Sequence, residues 1–177
     1  MNSIHDFGPF LKERNLLYAA AEVGVAEGRS SLEFMNWGFE KLYLIDMWQH
    51  IKGQKGDSSS PQMWHNLNLT GCREKMKPFG DKVVFLQGDS VAMSSKVESN
   101  SLAFVYIDAN HSYDGALRDL IAWTPKLKKG GIVALHDYND TYGVKEAANE
   151  FTKDRGYDIH KLPELSEENA GAWFTVI

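Results

Sequence analysis

Short apolar runs alternate with segments of helical periodicity along most of the chain. Five of the runs are predicted strands, at residues 17–25, 42–45, 83–86, 102–107 and 132–135. They are almost continuously apolar, which is typical of strands buried on both faces of a parallel sheet. Between them, Leu117 and Leu120 have helical spacing, and Ser30 or Ser31 is predicted to cap a helix that runs to about Trp37. The pattern predicts a doubly wound α/β fold.

The carboxyl-terminal part follows a different pattern. One predicted helix has an apolar face made of Val144, Ala147, Ala148 and Phe151. This helix is expected to end at Gly156, since glycine commonly follows the last helical turn. Residues 157–162 and 172–177 have only a polar loop between them, so they are predicted to pair antiparallel at the sheet's edge. The whole is a mainly parallel, Rossmann-like sheet of about seven strands with a carboxyl-terminal antiparallel hairpin.

The longest irregular stretch is 49–60, and it directly follows the end of a predicted strand. A polar loop of this length inside a compact domain is either an insertion without a role or a lid over a site. Its position at a strand's carboxyl end favours the lid. Ser60 and Pro61 then look like a cap followed by proline at the first helical position. Trp48 and Trp64 lie near the ends of the loop, where they could stack on an acceptor, although a core role for Trp64 is equally plausible.

The composition fits one domain over residues 1–177. The chain has a mass of 20.0 kDa, and 43% of its residues are hydrophobic, enough for a core without a disulfide or metal. Its net charge of -5 argues against nucleic acid as the main partner. The single Cys72 excludes an internal disulfide and a thiolate zinc site. No apolar run approaches the ~20 residues of a membrane span and no signal pattern begins the chain, so we expect a cytoplasmic protein with no membrane partner. Nothing in the pattern indicates an oligomeric state.

Polar residues collect where the predicted strands end. They are Gly24, Gly28, Asp46, Asp89, Asp108, His136 and Asp137. Each residue alone is common in turns and at helix caps. Ligands of an open parallel sheet, however, bind beyond the carboxyl ends of its strands. Five successive strands with such ends therefore favour a binding site at one edge of the sheet.

The first strand is followed by a loop, 22–30, that contains two glycines. Glycine lets the backbone approach a ligand closely. The loop is not a dinucleotide fingerprint, because Ala26 stands where a second glycine is needed, and it lacks the lysine of a P-loop. Glu22 and Glu27 would repel a pyrophosphate, but Glu22 could accept hydrogen bonds from an ammonium group. The loop therefore favours a cationic ligand over a phosphate chain.

The next two strand ends suit a nucleoside. Asp46 could accept hydrogen bonds from both hydroxyls of a ribose. Asp89 and Ser90 could meet an adenine edge, with Met47 or Trp48 packing on the ring. A nucleoside that carries a cation in place of a phosphate chain fits this set, and S-adenosylmethionine is such a compound.

Several motifs together carry a family resemblance: E-x-G-x-x-x-G-x-S, LYLIDMW, FLQGDS, IDANHSYDGALRDL and GGIVALHDY. They resemble the class I S-adenosylmethionine-dependent methyltransferases over roughly residues 18–155. More narrowly, they resemble the branch of catechol and caffeoyl-CoA O-methyltransferases and cephalosporin-hydroxylase-like proteins. The resemblance implies that Gly24 and Gly28 line the methionine portion, Asp46 holds the ribose and Asp89 holds the adenine. Taken together, the residue chemistry and the resemblance give a predicted cofactor-binding set of Glu22, Gly24, Gly28, Ser30, Asp46, Met47, Trp48, Asp89, Ser90 and Asp108.

The same resemblance implies a reacting cluster at Asp108, His136 and Asp137, which hold a divalent ion in the metal-dependent members. Imidazole suits manganese, iron, nickel or zinc better than magnesium. Either a softer ion binds, or His136 only hydrogen-bonds a neighbouring loop and the protein is metal-free. His111 stands where several members place a lysine that deprotonates the acceptor. With an ordinary pKa of ~6.5 it suits a general base, or else it is a helix-entry histidine bonded to Asp108 or Asp114.

The implied activity is methyl transfer from S-adenosylmethionine to a hydroxyl of a small-molecule acceptor, by in-line displacement, with Asp108 and His111 as catalytic residues. Tyr113 and Tyr138 either line the acceptor pocket or pack at its edge. One alternative is a nucleotide-dependent oxidoreductase, against which the incomplete glycine fingerprint and the terminal hairpin argue. Another is a protein that binds S-adenosylmethionine without catalysis.

Overall fold

The computed structural model describes residues 6–53, 56–162 and 170–177. Its strands are β1 (Ala19–Val23), β2 (Lys41–Asp46), β3 (Val83–Gln87), β4 (Leu102–Ile107), β5 (Leu127–Leu135), β6 (His160–Leu162) and β7 (Gly171–Thr175). Its α-helices are α1 (Phe7–Glu13), α2 (Arg29–Trp37), α3 (Gln62–Met76), α4 (Ser90–Ser94), α5 (Tyr113–Trp123) and α6 (Val144–Arg155). None of the helices in these ranges is both long and apolar enough to cross a bilayer.

The strands form one seven-stranded sheet in the order β3-β2-β1-β4-β5-β7-β6. Strands β1 to β5 run parallel, whereas β7 is antiparallel to both β5 and β6. The predicted fold class and the antiparallel pairing of the last two strands are therefore confirmed. The loop between β6 and β7, 163–169, lies outside the described residues.

Helices cover both faces of the sheet, so its central strands are buried on both sides. All six residues of β4 are buried, as the unbroken apolar run predicts. Leu120 of α5 and Phe151 of α6 belong to the core on one face. Phe7 of α1, Phe34 of α2 and Cys72 of α3 belong to the core on the other. This three-layer arrangement leaves the strands' carboxyl ends as the exposed edge on which loops can form a site.

Some boundaries differ from the prediction. β1 is shorter than 17–25 because the chain turns at Gly24, whose φ is +86°. β5 begins at Leu127 rather than at residue 132, with an irregular register to β4 around Gly130, whose φ is +84°. Glycine permits such a bulge because it adopts positive φ without strain. The predicted end of α6 at Gly156, with φ +68°, is confirmed.

Two predicted helix starts are wrong. Gly28, with φ +76°, precedes α2, and neither Ser30 nor Ser31 caps that helix. Both serines lie inside the first turn, because the helix already begins at Arg29, and their hydroxyls donate to the buried carboxylate of Glu22. Pro61 has an extended ψ of 148° and stands before α3 rather than at its first helical position.

Candidate functional site

The carboxyl ends of β1, β2, β4 and β5 continue into loops that remain tied to one another. The backbone N–H of Gly24 donates to the carbonyl of Ile45 at 2.8 Å, and Asp108 N donates to Val23 O at 2.8 Å. His136 N donates to Ile107 O at 3.1 Å. The first loop thus lies between the ends of β2 and β4, where the order of the strands reverses. This is the position at which open α/β sheets bind ligands.

Gly24 and Gly28 allow two close approaches within the protein itself. A Cβ on Gly24 would lie 1.9 Å from the carbonyl oxygen of Asp108, so any larger residue would push the loops after β1 and β4 apart. A Cβ on Gly28 would lie 2.6 Å from the Cys72 sulfur. Both positions also have a positive φ that favours glycine. The two glycines therefore let the first loop lie against the loop after β4 and against α3.

Asp46 organises the first loop through its side chain. Its Oδ2 accepts from the backbone N–H groups of Val25 and Ala26, both at 2.9 Å. Its Oδ1 accepts from Trp48 N at 2.7 Å. Each carboxylate oxygen has two acceptor positions, so Oδ2 is filled and Oδ1 keeps one within the described part of the chain. One ribose hydroxyl, rather than two, can bond directly to Asp46 in this arrangement.

Glu22 is fully buried, with no exposed surface, although it was predicted to face a ligand. Its two oxygens accept from the hydroxyls of Ser30 and Ser31. Burial raises the pKa of Glu22 to about 8 against the effect of the two hydroxyls, and the negative charges of Asp108 and Asp46 raise it further. Glu22 and Ser30 thus pair with each other beneath the first loop, and Glu22 has no surface that a ligand could contact.

The two residues predicted to pack on an adenine ring have different surroundings. Trp48 is 2% exposed, its Nε1 donates to Ala26 O at 2.8 Å, and its ring packs against Phe85. Its indole therefore lies under the first loop with little surface for stacking. Met47 is half-buried, and its carbonyl accepts from Gln87 Nε2 at 3.2 Å.

The residues predicted to meet the adenine edge also differ. Asp89 is exposed and caps α4, because its Oδ1 accepts from Ala92 N at 3.0 Å. Among the described residues nothing donates to its second oxygen, which is available to an amino group. Ser90 instead donates its hydroxyl to Asp119, whose pKa burial raises to about 6. Asp89 is thus the better placed of the two for a ligand.

Four side chains meet beyond β4 and β5. His111 Nε2 lies 3.5 Å from Asp108 Oδ1 and 3.1 Å from Asp137 Oδ2. His136 Nδ1 lies 3.5 Å and 3.1 Å from the same two oxygens. The structure therefore brings together Asp108, His136 and Asp137, as the sequence predicts, and adds His111 to the same cluster. Asp108, His111 and Asp137 offer donor atoms that all lie within 4.8 Å of one another, a spacing that suits a metal ion.

The carboxylates favour the cationic form of both rings. The pKa of His111 is raised by its contact with Asp108 and by the charge of Asp137, although partial burial opposes the change. The pKa of His136 is raised in the same way, chiefly by Asp137. Asp137 itself has a φ of +54°, which is unusual outside glycine and aims its side chain between the two rings. Such backbone strain often occurs at functional sites.

The loop after Asp137 adds an aromatic side chain that the sequence analysis missed. Tyr142 is 45% exposed, and its ring lies 5.0 Å from that of His111. Gly143 N donates to the His111 carbonyl at 3.0 Å, which ties the two loops together. The signal in the sequence was an aromatic residue beside a glycine in the loop after the fifth strand.

Of the two tyrosines considered for the acceptor pocket, neither has a free hydroxyl. Tyr138 is 4% exposed and its hydroxyl donates to Asn149 Oδ1 at 2.6 Å, so it packs in the core. The Tyr113 hydroxyl donates to Glu150 at 2.7 Å, and this contact raises the pKa of Tyr113 to about 12.

The predicted lid, 49–60, is closed at its base by hydrogen bonds to the start of α3. His50 N donates to Gln62 Oε1 at 3.0 Å, and Gln62 Nε2 donates to Trp48 O at 3.1 Å. Residues 54 and 55 lie outside the described residues, and the lid role stays a prediction. Trp64 is 36% exposed on α3, so it is not a core residue.

Comparison with known proteins agrees with this fold. The profile of a family described as "Methyltransferase domain" matches residues 21–138. The O-methyltransferase NovP has a similar structure, with a TM-score of 0.70 and 17% identity over 98% of this chain and 77% of that one. The calicheamicin methyltransferase CalS11 has a TM-score of 0.70 and 16% identity, over 97% of this chain and 77% of that one. The S-adenosylhomocysteine-bound methyltransferase PaMTH1 of Podospora anserina has a TM-score of 0.67 and 16% identity, over 98% of this chain and 77% of that one.

Comparison with curated protein sequences gives no match. The family profile nevertheless covers more than half of the chain, and it includes the carboxyl ends of the strands β1 to β5, which form the candidate site. The similar structures share the fold over almost the whole chain. The chain therefore belongs to the class I S-adenosylmethionine-dependent methyltransferases, as its motifs predict.

Proposed function

We propose that this protein transfers the methyl group of S-adenosylmethionine to a hydroxyl of a small-molecule acceptor. The observation that carries the proposal is the contact between two loops: Gly24 of the first loop lies against the backbone of Asp108, beside the cluster of His111 and Asp137. A methyl donor held by the first loop would then present its reactive carbon to groups that can take a proton. The similar structures support the choice of oxygen as acceptor, because one is named an O-methyltransferase.

The donor substrate would lie along the ends of β1, β2 and β3. The first loop offers its backbone to the methionine portion, and Asp46 Oδ1, Met47 and the exposed Asp89 remain for the nucleoside. The positive sulfonium suits this edge, because the carboxylates of Asp46 and Asp108 lie on either side of the loop. We also propose that residues 1–177 form a single catalytic domain that works in the cytoplasm, as the composition predicts.

The chemistry asks for alignment and for removal of one proton. The acceptor oxygen forms a bond to the methyl carbon while the carbon–sulfur bond breaks, and the sulfur keeps that electron pair. His111 takes the hydroxyl proton on Nδ1, while its Nε2–H faces the carboxylates of Asp108 and Asp137, which stabilise the imidazolium that results. Holding the reactants in line at near-attack distance supplies much of the acceleration.

A divalent ion fits the same cluster. Asp108, His136 and Asp137 offer two oxygens and one nitrogen, and His136 Nδ1 is buried without a hydrogen bond from any described residue. An ion bound there would lower the pKa of an acceptor hydroxyl and fix its direction. Magnesium prefers oxygen donors alone, so the imidazole favours manganese or a softer ion.

Calorimetry with S-adenosylmethionine and with NAD, followed by methyl transfer to a panel of catechols and sugars, tests the proposal. His111→Ala should lower turnover by about 100-fold or more, as expected for loss of a general base, with little change in S-adenosylmethionine affinity. His160→Ala on β6, at the far edge of the sheet, is the matched control and should leave both unchanged. If the His111→Ala variant keeps its turnover, His111 is not the general base. Binding of NAD in place of S-adenosylmethionine would refute the proposed activity.

A protein that binds S-adenosylmethionine without catalysis remains the second candidate, because Glu22 and Ser30 bond each other and Ser90 bonds Asp119. Such a protein would bind the donor yet transfer no methyl group to any acceptor of the panel. If the cluster around His111 has only a structural role, His111→Ala should change the stability of the protein but not its affinity for S-adenosylmethionine.

A further inference from the structure

Asp119 is a buried carboxyl to which the proposed chemistry gives no role. It lies on α5 and is 3% exposed. A buried carboxylate is costly unless it is paired, usually with a cation. The hydrogen bond that the structure shows at Asp119 comes instead from the neutral hydroxyl of Ser90. Burial raises the pKa of Asp119 to about 6 against the effect of that hydroxyl, so the group is mostly ionised at neutral pH despite the cost.

The direction of this hydrogen bond determines what Ser90 can offer to a ligand. A hydroxyl has one proton to donate and two lone pairs that accept. An ionised carboxylate can only accept, so the proton of Ser90 Oγ points to Asp119 Oδ1. Only the lone pairs of Oγ remain for another partner. Ser90 is therefore a hydrogen-bond acceptor towards a ligand, and its hydroxyl cannot turn round to donate.

Asp89 supplies a second acceptor directly beside Ser90. It is exposed, and its Oδ1 accepts from Ala92 N at 3.0 Å, which leaves its second oxygen without a donor among the described residues. Two neighbouring acceptors match the two N–H bonds of an exocyclic amino group. They would repel the carbonyl oxygen that a 6-oxo purine carries at the same position. This edge therefore suits adenine and disfavours hypoxanthine.

We propose that Asp119 is a positioning residue for the methyl donor: it holds the proton of Ser90, so that Ser90 and Asp89 form a pair of acceptors that selects a 6-amino purine. The inference rests on the proposed function for the presence of the donor at this edge. Asp119 acts through Ser90, from α5 onto the start of α4, without contact with the base. An amide or a hydroxyl at position 119 could donate as well as accept and would not fix the direction of the bond.

Calorimetry on the full-length protein at pH 7.5 with two ligands tests the inference. The ligands are S-adenosylhomocysteine and S-inosylhomocysteine, in which a carbonyl replaces the amino group. We expect the wild type to prefer the adenosyl compound roughly 100-fold, at about tenfold for each acceptor. Ser90→Ala and Asp119→Ala should each lower this ratio of affinities about tenfold. The double variant should lower it by the same factor, because Asp119 acts through Ser90.

Two further variants separate this role from a purely structural one. Ser94→Ala is the matched control, because Ser94 also lies on α4, is 8% exposed and donates its hydroxyl to Val91 O at 2.8 Å. It should leave the ratio unchanged, whatever its effect on stability. Asp119→Leu keeps the branching of the side chain and removes the acceptor without an empty cavity, so it should lower the ratio even if Asp119→Ala does not fold. Circular dichroism checks the fold of each variant.

Three results would overturn the inference. They are equal binding of the two compounds by the wild type, a ratio that Ser90→Ala or Asp119→Leu leaves unchanged, and losses that multiply to about 100-fold in the double variant. The proposed methyl transfer would survive all three, since each presupposes that the donor's product binds. A protein that binds neither compound would instead refute the proposed function, and this inference with it.

Discussion

Replacing Glu22 with glutamine should make the protein more stable at high pH and leave it almost unchanged at low pH. The carboxyl is fully buried, and burial raises its pKa from an ordinary 4.5 to about 8 in the folded chain. The folded protein therefore holds this proton more tightly than the unfolded chain does. The free energy of unfolding must then fall as the pH rises from about 4.5 to about 8. The carboxamide of Glu22→Gln does not ionise and escapes this loss.

The size of the effect follows from the same two values. The interval from 4.5 to about 8 corresponds to roughly 5 kcal/mol at about 1.36 kcal/mol per pH unit, of which roughly 4 kcal/mol develops between pH 5 and pH 8.5. The hydroxyls of Ser30 and Ser31 can still bond to the carboxamide, so we expect near-equal stability at pH 5. Asp119, whose pKa is raised to about 6, changes stability in the same direction, but it does so in both proteins and cancels in the difference.

Urea unfolding followed by circular dichroism at pH 5, 6, 7, 8 and 8.5 measures this difference directly. Glu13→Gln is the matched control for the chemical change itself, because the Glu13 side chain is 79% exposed. A stability difference between wild type and Glu22→Gln that stays constant over this range would refute the reasoning. It would mean that Glu22 is already ionised at pH 5 in the folded protein.

Two further substitutions test the first loop. Gly24→Ala would place a Cβ 1.9 Å from the Asp108 carbonyl at φ +86°, so we expect a loss of at least about 2 kcal/mol and weaker S-adenosylmethionine binding. Gly38→Ala is the control, because Gly38 also has a positive φ, +104°, but a Cβ there would meet no described atom within 4 Å. Urea unfolding should then show about half that loss of stability, and calorimetry should show unchanged S-adenosylmethionine affinity. Asp46→Asn turns one acceptor oxygen into a donor that faces backbone N–H groups, which should lower the free energy of unfolding by about 1–3 kcal/mol. Calorimetry should also show weaker S-adenosylmethionine binding. Unchanged affinity would contradict the role of Asp46 in shaping the loop.

The positions of the parallel strands along the chain could be predicted because a buried parallel strand has a distinctive composition. Residues 102–107 are apolar without interruption, and β4 has those bounds. The bulge near Gly130 was missed because its register depends on the neighbouring strand rather than on local sequence. The start of α2 was missed for a related reason: Ser30 and Ser31 have the chemistry of caps, but the helix begins earlier, after Gly28, and their hydroxyls donate to the distant carboxylate of Glu22.

The candidate site was predictable in its location and less so in its details. A parallel sheet brings the ends of its strands to one edge, so Asp46, Asp108 and Asp137 had to lie near one another once the strands were assigned. The use of each lone pair is decided by residues distant in the chain. Asp46 bonds backbone groups twenty positions earlier, and Trp48 lies under the loop that Asp46 shapes.

The same distinction explains the reacting cluster. The sequence separates the motif of His111 from that of His136 by a complete helix and strand, and each motif by itself suggests a base or a ligand. The contact of Gly24 with Asp108 and the pairing of β4 with β5 bring both rings to the same two carboxylates. A ring that shares its carboxylates with a second ring can accept a proton or bind an ion, but not both at once. The two shared carboxylates therefore raise the pKa of both rings, although the rings come from separate motifs.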